Sequence, residues 1–385
     1  MRGHITKRGK SSYTIVLEMD KDPATRKRNQ QWISVKGNKK DAEKRLSEML
    51  HQIDTGSFMR PGKTTVAEFL EQWLKDCRSR LSPRGFERYS GIVTGHLIPD
   101  LGSIALTQLR PEHIQKHETA MQESGLSART ARYHHSVIHS ALKTAVEWGL
   151  LARNPADAVK PPKIRRVDMQ TWDEGEMRRF LEAAKGSTYY ELFFLALYTG
   201  MRRSELLALR WQDIDLDLGQ VSVSRTLHHL KDGRYVYTEP KSAKSRRTIA
   251  LSPSAILLLK DYRQHQALKR AELGGVQKDA DLVFCHLLDG SPLRPNSITR
   301  AWQTAARGAG VKVIRLHDAR HTHASIMLKQ GIHPKIVQER LGHSTIQMTL
   351  DTYSHVAPGL QAAAAARFDE VVDLEQTKRN VGTIR

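Results

Sequence analysis

Between residues 154 and 166 the chain must leave regular structure. Asn154-Pro155 is followed by Lys160-Pro161-Pro162-Lys163-Ile164-Arg165-Arg166; adjacent prolines cannot continue a helix, and the flanking charge favours an extended, exposed segment. A second break lies at 57–64 (SFMRPGKT), where Gly and Pro precede Thr65-x-x-Glu68, a capping-box spacing that starts a new helix. The 385 residues therefore divide into parts at 1–56, 65–155 and 166–385.

Each part has its own pattern. Residues 12–19 (SYTIVLEM) and 29–35 (NQQWISV) are strand candidates around an Asp20-Lys21-Asp22-Pro23 turn, and Ala42, Leu46, Met49, Leu50 and Ile53 follow at helical spacing over 39–53. That predicts a small sheet plus a helix. In 65–155 the stripe Val66, Phe69, Leu70, Trp73, Leu74 and further helices near 83–96, 111–124 and 127–148, with no strand signal, predict an all-α module. In the third part Thr171-x-x-Glu174 reads as another capping box, 188–199 as a buried helix, 220–225 and 248–251 as strands and 282–285 as a third short apolar run, with helices from 296 onward. The predicted fold class is multidomain, mainly α with small β parts, the third domain being α+β.

Charge narrows the partner. Lys and Arg number 61 against 41 Asp and Glu, a net +20. The excess is spread along the chain: 14 basic against 7 acidic residues in 1–60, 15 against 10 in 61–165, and 32 against 24 in 166–385. A membrane-binding segment or basic tail would concentrate it, so nucleic acid is the favoured partner. Lys7, Arg8, Lys10, Arg26, Lys27 and Arg28 flank the first two strand candidates, while Arg129, Arg132, His134, His135 and Lys143 lie on one predicted helix; both sets are candidate DNA contacts. There is no apolar run of membrane-spanning length and no signal-peptide core, which predicts a cytoplasmic protein. Two distant cysteines, Cys77 and Cys285, form no metal or disulfide framework. His113/His117 and His135/His139 have helical metal-pair spacing but no carboxylate or cysteine at a useful offset, so no metal is expected. Nucleotide-binding and HExxH signatures are absent.

Two stretches carry chemistry: Thr199-Gly200-Met201-Arg202-Arg203-Ser204-Glu205-Leu206, and His317-Asp318-Ala319-Arg320-His321 followed by Leu341-Gly342-His343 and Tyr353. In-line attack on a phosphodiester adds negative charge to the phosphoryl oxygens, which a pair of guanidiniums such as Arg202 and Arg320 is suited to stabilise. A tyrosine hydroxyl titrates near 10 and needs a base or a positive field to act as nucleophile; His317 is the candidate base.

These motifs, in this order and spacing, resemble the tyrosine recombinase (phage integrase) family, most firmly over 166–360. The resemblance implies a SAM-like core-site-binding domain at 65–155, an arm-site-binding domain at 1–56 and a catalytic domain at 166–385 ending in a tail helix (362–374) that docks on a neighbouring protomer or on its own domain. It implies Tyr353 as nucleophile, His343 as a donor to the scissile phosphate, Lys241 or alternatively Lys244 as the hairpin lysine that protonates the departing 5′-oxygen, and Glu205, Asp318 and His321 in support. Ala319, where the family more often has leucine, and Ser242, where threonine is frequent, are packing variations. The expected function is integration, with excision, of a phage or mobile element through a 3′-phosphotyrosyl link and a Holliday junction, by a homotetramer on double-stranded core and arm sites, with no cofactor and with an excisionase or host DNA-bending protein as possible helpers. A resolvase or invertase of the same chemistry, and a DNA-binding protein of this fold that does not cut, are the alternatives.

Overall fold

The computed structural model describes residues 3–9, 12–19, 29–54, 64–164, 169–240, 245–274, 281–353, 365 and 368. The chain falls into two compact units, Met1–Arg165 and Arg166–Arg385.

The first unit opens with an antiparallel sheet in the order β1 (Gly3–Gly9), β2 (Ser12–Met19), β3 (Asn29–Lys36), followed by α1 (Lys39–Asp54). The register stacks Ile5, Ile15 and Ile33 in one row, and these pack with Leu17, Val35, Leu46, Met49 and Leu50 as one small core. Strand β1 adds an edge that the sequence pattern did not predict. Its only β-branched pair is Ile5-Thr6, and its exposed Lys7 and Arg8 mask the alternation.

The helical part runs α2 (Val66–Arg80), α3 (Pro83–Ile92), a π-turn (Val93–Leu97), α4 (Ile98–Leu101), α5 (Pro111–Glu123) and α6 (Ala128–Glu147). The Thr65/Glu68 capping box forms as expected, and Val66, Phe69, Leu70, Trp73 and Leu74 are all buried. The third helical run continues past 96 because the widened π-turn leads into α4 with Pro99 in its first turn, where a missing N–H is tolerated. On α6 the outward face carries Arg129, Arg132 and Lys143, but His134 and His135 point inward, 3% and 9% exposed. They are not part of a basic surface: His134 rings pack on His96 and His117, and His135 bonds the buried Glu118.

The second unit comprises α7 (Glu174–Ala184), α8 (Tyr190–Thr199), α9 (Arg203–Leu206), β4 (Ile214–Asp215), β5 (Gln220–Val223), β6 (Thr226–His229), β7 (Tyr235–Thr238), β8 (Arg247–Ala250), α10 (Pro253–Leu273), α11 (Pro295–Gly308), α12 (Asp318–Lys329), α13 (Pro334–Leu341) and α14 (Ile346–Tyr353). Strands β4-β5-β8 form one antiparallel sheet and β6-β7 a separate hairpin. The core gathers Trp172, Phe180, Phe193 and Trp302, with the two indoles stacked 5.1 Å apart. One expectation needs correction, and two features go beyond the sequence pattern. The cap of α7 is Asp173, whose side chain accepts from Glu176 N–H, two residues beyond the Thr171/Glu174 pair. Residues 282–285 make only isolated bridges, Leu282 with Arg210 and Cys285 with Pro292, so they pack as a buried connector and not a sheet strand. The β6-β7 hairpin was not foreseen, because all its residues but Leu227 are only partly buried and its sequence does not alternate.

No helix among the described residues is long and apolar enough to cross a membrane.

Candidate active site

Helix α8 is apolar over most of its surface, with Glu191 in its first turn, and ends where Gly200 adopts the left-handed conformation, φ +64°. A Cβ there would sit 2.7 Å from Leu341 Cδ2 and 3.0 Å from His323 Cδ2, so glycine alone lets the chain turn against α13 and α12. Two residues on, Arg202 caps α9. Its Nη1 donates to Glu205 Oε1 at 2.7 Å and its backbone N–H to Oε2 at 2.8 Å. The Glu205 side chain is 1% exposed while that of Arg202 keeps 33%, leaving the guanidinium accessible.

The same carboxylate is gripped by a second arginine from β8. Arg247 donates Nη2 to Glu205 Oε2 at 2.9 Å and Nη1 to Oε1 at 3.2 Å, while its Nε bonds the Arg340 carbonyl at 2.7 Å. Burial would raise Glu205, but hydrogen bonds and charge from Arg247, then Arg202, outweigh it and hold the carboxyl below its ordinary value.

Arg320, on the first turn of α12, is 2% exposed and donates to the carbonyls of Gly200 (3.0 Å) and Leu341. It thereby ties α12 to the turn carrying Arg202 and to the turn carrying His343. The latter turn is made by Gly342 at φ +68°, and the His343 carbonyl accepts from Gln338 Nε2 at 2.8 Å. His343 Nδ1 lies 2.9 Å from the hydroxyl of buried Thr349 on α14. Tyr353 is the last residue of that helix, ten residues after His343; its side chain lies outside the described residues.

Burial first, and neighbouring charge second, lower the imidazoles of the site. Burial, then Arg320 and Arg202, push His343 down to about 3. His321 is pushed down to about 4 by burial and then His317, whose ring centroid lies 5.4 Å away. His317 stands just before α12, at its N-cap position, and is lowered by the packing around it and then by Arg320, yet it keeps an open face to solvent. A neutral His317 at pH 7 can accept a proton, as a base must.

His323 is pushed down to about 3 by burial and then Arg340. Its tautomer follows from its partners: the Leu197 carbonyl, 2.9 Å from Nδ1, can only accept, and Nε2 takes a bond from Arg340 Nε at 3.0 Å.

These shifts give a pH expectation. A histidine whose folded value lies below its unfolded 6.5 costs stability as pH falls through 6.5 towards the folded value. His343 and His323 should each cost about 2 kcal/mol at pH 5, to order of magnitude. Thermal melts of the free protein should therefore move to lower temperature between pH 7 and pH 4; a melting temperature constant over that range would contradict the neutral assignment.

Asp318 serves Arg315, accepting from its N–H (2.9 Å), Nε (3.0 Å) and Nη2 (2.8 Å). Arg202, Glu205, His317, Arg320, His321 and His343 thus converge, with Asp318 at the start of α12. Lys241 and Lys244 lie outside the described residues, as do Lys10, Arg26, Lys27, Arg28 and the tail at 362–374 except residues 365 and 368. Lys7 and Arg8 are exposed on β1. On α6, Lys143 lies within 3.9 Å of Glu147.

Sequence reasoning assigned no role to Arg247, Arg340, His323 or Thr349. One signal was available for Arg247. Strand alternation puts it on the same face as the buried Ile249, an inward position where a charge demands a partner.

The paired histidines have ordinary partners: His113 accepts from Arg110 N–H, and His117, His135 and His139 bond Asp100, Glu118 and Asp157. Among the described residues no group of three or more His, Cys, Asp or Glu is placed to hold a metal ion.

The profile of the phage integrase family matches residues 170–359, and that of the phage integrase N-terminal SAM-like domain matches 65–120. A tyrosine recombinase XerC-like protein of Caldanaerobacter subterraneus is 26% identical over 384 residues, spanning 95% of this chain and 97% of its own. The ICEBs1 integrase of Bacillus subtilis is 28% identical, spanning 78% and 81%. Among solved structures, the Tn1549 transposon integrase in complex with circular intermediate DNA aligns with a TM-score of 0.65 at 20% identity, covering 80% of this chain and 100% of its own. A lambda integrase dimer bound to a core site aligns at 0.58 and 19% identity, covering 90% and 93%. Both share the fold.

Proposed function

The chain belongs to the phage integrase family, and from that premise we propose that it is a site-specific tyrosine recombinase, the integrase of a phage or other mobile element. The observation that carries this reading is the convergence of Arg202 and Arg320 with neutral His317, His321 and His343 beside the helix that ends in Tyr353.

The chemistry follows from the groups. Tyr353 Oη attacks the scissile phosphorus as His317 accepts its proton, and Arg202, Arg320 and His343 bind the phosphoryl oxygens as charge accumulates on them. The phosphorus–O5′ bond breaks, Lys241 (or Lys244) protonates the departing oxygen, and a 3′-phosphotyrosyl link remains. A 5′-hydroxyl from a partner duplex then attacks that link and releases the tyrosine. One phosphodiester is exchanged for another, so no nucleotide energy is needed.

Arrangement on DNA is part of the same proposal. Residues 166–385 carry the chemistry, 65–155 grip the core site, with Arg129, Arg132 and Lys143 towards the backbone, and 1–56 hold arm sites through Lys7, Arg8, Lys10, Arg26, Lys27 and Arg28. Four copies act on a Holliday junction in the bacterial cytoplasm, assisted by an excisionase or a DNA-bending protein. A lambda integrase tetramer of the same fold bound to a Holliday junction supports this arrangement by likeness, at a TM-score of 0.56.

The test is strand exchange between duplexes carrying the direct repeats that flank the element. Recombinants should form in EDTA without nucleotide, at the rate seen with Mg²⁺ to within a fewfold. A strict divalent-metal requirement would favour metal-dependent cleavage instead.

A further inference from the structure

Arg202 carries an electrostatic problem that its own motif does not solve. It is held by a carboxylate that is itself buried, Glu205, through a contact of 2.7 Å. A buried ion pair of one arginine and one glutamate has no net charge, and a neutral pair is a poor clamp for a phosphate gaining negative charge. Arg247 changes the balance: its side chain is 5% exposed, and both of its terminal nitrogens fork onto the two oxygens of Glu205, at 3.2 and 2.9 Å. The trio then carries one net positive charge, and Arg202, at 33% exposure, is the member open to a ligand.

Placement is as telling as charge. Arg247 Nε donates to the Arg340 carbonyl at 2.7 Å, two peptide units before Gly342, and Nη1 also reaches the Ser245 carbonyl at 3.2 Å. Arg340 in turn binds the carbonyls of Ala250 and Tyr198 at 2.8 and 3.1 Å. One side chain on β8 thus fixes the carboxylate that orients Arg202 and the backbone that leads to His343.

We infer that Arg247 is a positioning residue of the active site, supplying the counter-charge to Glu205 that leaves the charge of Arg202 free for the scissile phosphate. It does not touch the DNA. The inference rests on the reading of Arg202 as a phosphate clamp.

Charge balance can be tested apart from packing. In single-turnover cleavage at saturating DNA, Arg247→Gln should slow the reaction about 10- to 100-fold, part of what losing one transition-state donor costs, with DNA affinity within about twofold of wild type. Arg247→Lys, which keeps the charge but not the fork, should fall between the two. The double variant Glu205→Gln/Arg247→Gln removes one charge of each sign and should cleave at least tenfold faster than Arg247→Gln alone. A merely structural Arg247 would give no such recovery of rate. Wild-type cleavage by Arg247→Gln, or a double variant no faster than that single one, overturns the inference. Arg202→Ala run alongside separates the premises: normal cleavage there would remove the role of Arg202 itself, whereas a slow Arg202→Ala beside a normal Arg247→Gln would remove only that of Arg247.

Discussion

Replacing Arg320 with alanine should lower single-turnover DNA cleavage by about two to three orders of magnitude and destabilise the protein as well. The rate loss follows from removing a guanidinium proposed to sit where the phosphoryl oxygens gain charge. The stability loss follows from burial: at 2% exposure, Arg320 satisfies the carbonyls of Gly200 and Leu341, and its removal leaves both without that donor in a water-poor site. Each such orphan costs about 1–3 kcal/mol. Arg202→Ala provides the contrast. Its side chain is one-third exposed, and Glu205 would keep Arg247 as partner, so the rate should fall by a similar factor while the melting temperature changes little. Rate, DNA affinity and melting temperature measured together separate the two arginines. Equal losses in affinity and cleavage would mean that they place the DNA and do not stabilise the transition state.

Sequence and structure agree most where a local rule decides the outcome. Thr65 and Glu68 form their capping box because the reciprocal bonds lie within four residues. Strand β2 spans 12–19 as its β-branched run indicates. The motifs around Arg202 and around His317 to His343 name their residues by spacing, and two buried arginines, Arg320 and Arg247, link the segments that carry them. What the sequence hid depends on partners far along the chain. His134 and His135 look like part of a basic face until α5 and the π-turn supply the rings and carboxylate they pack against. Asp173 wins the cap of α7 from Thr171 because Trp172 is pinned in the core, its N–H on Thr322 and its indole on the Lys312 carbonyl. Arg247 and Arg340 sit 42 and 17 residues from Glu205 and His323, their main side-chain partners, and no local pattern connects them.

The proposed nucleophile carries the largest expected effect. Tyr353 closes α14, whose Thr349 touches His343, so the helix ties the tyrosine to the same clamp that would hold the phosphate. Phenylalanine keeps the ring and removes the one atom that can form the phosphotyrosyl ester, so no other step of the reaction can compensate. Tyr353→Phe should bind its site with wild-type affinity, melt at the wild-type temperature and leave cleavage below detection. The most direct measurement is the covalent complex itself: protein and DNA carrying the correct site are mixed in EDTA, denatured in SDS, and the DNA-linked peptide is mapped. An SDS-stable adduct should form at Tyr353 in the wild-type protein, and none in Tyr353→Phe. An adduct that persists in Tyr353→Phe, or its absence from wild-type protein on the correct site, would contradict tyrosine-mediated recombination.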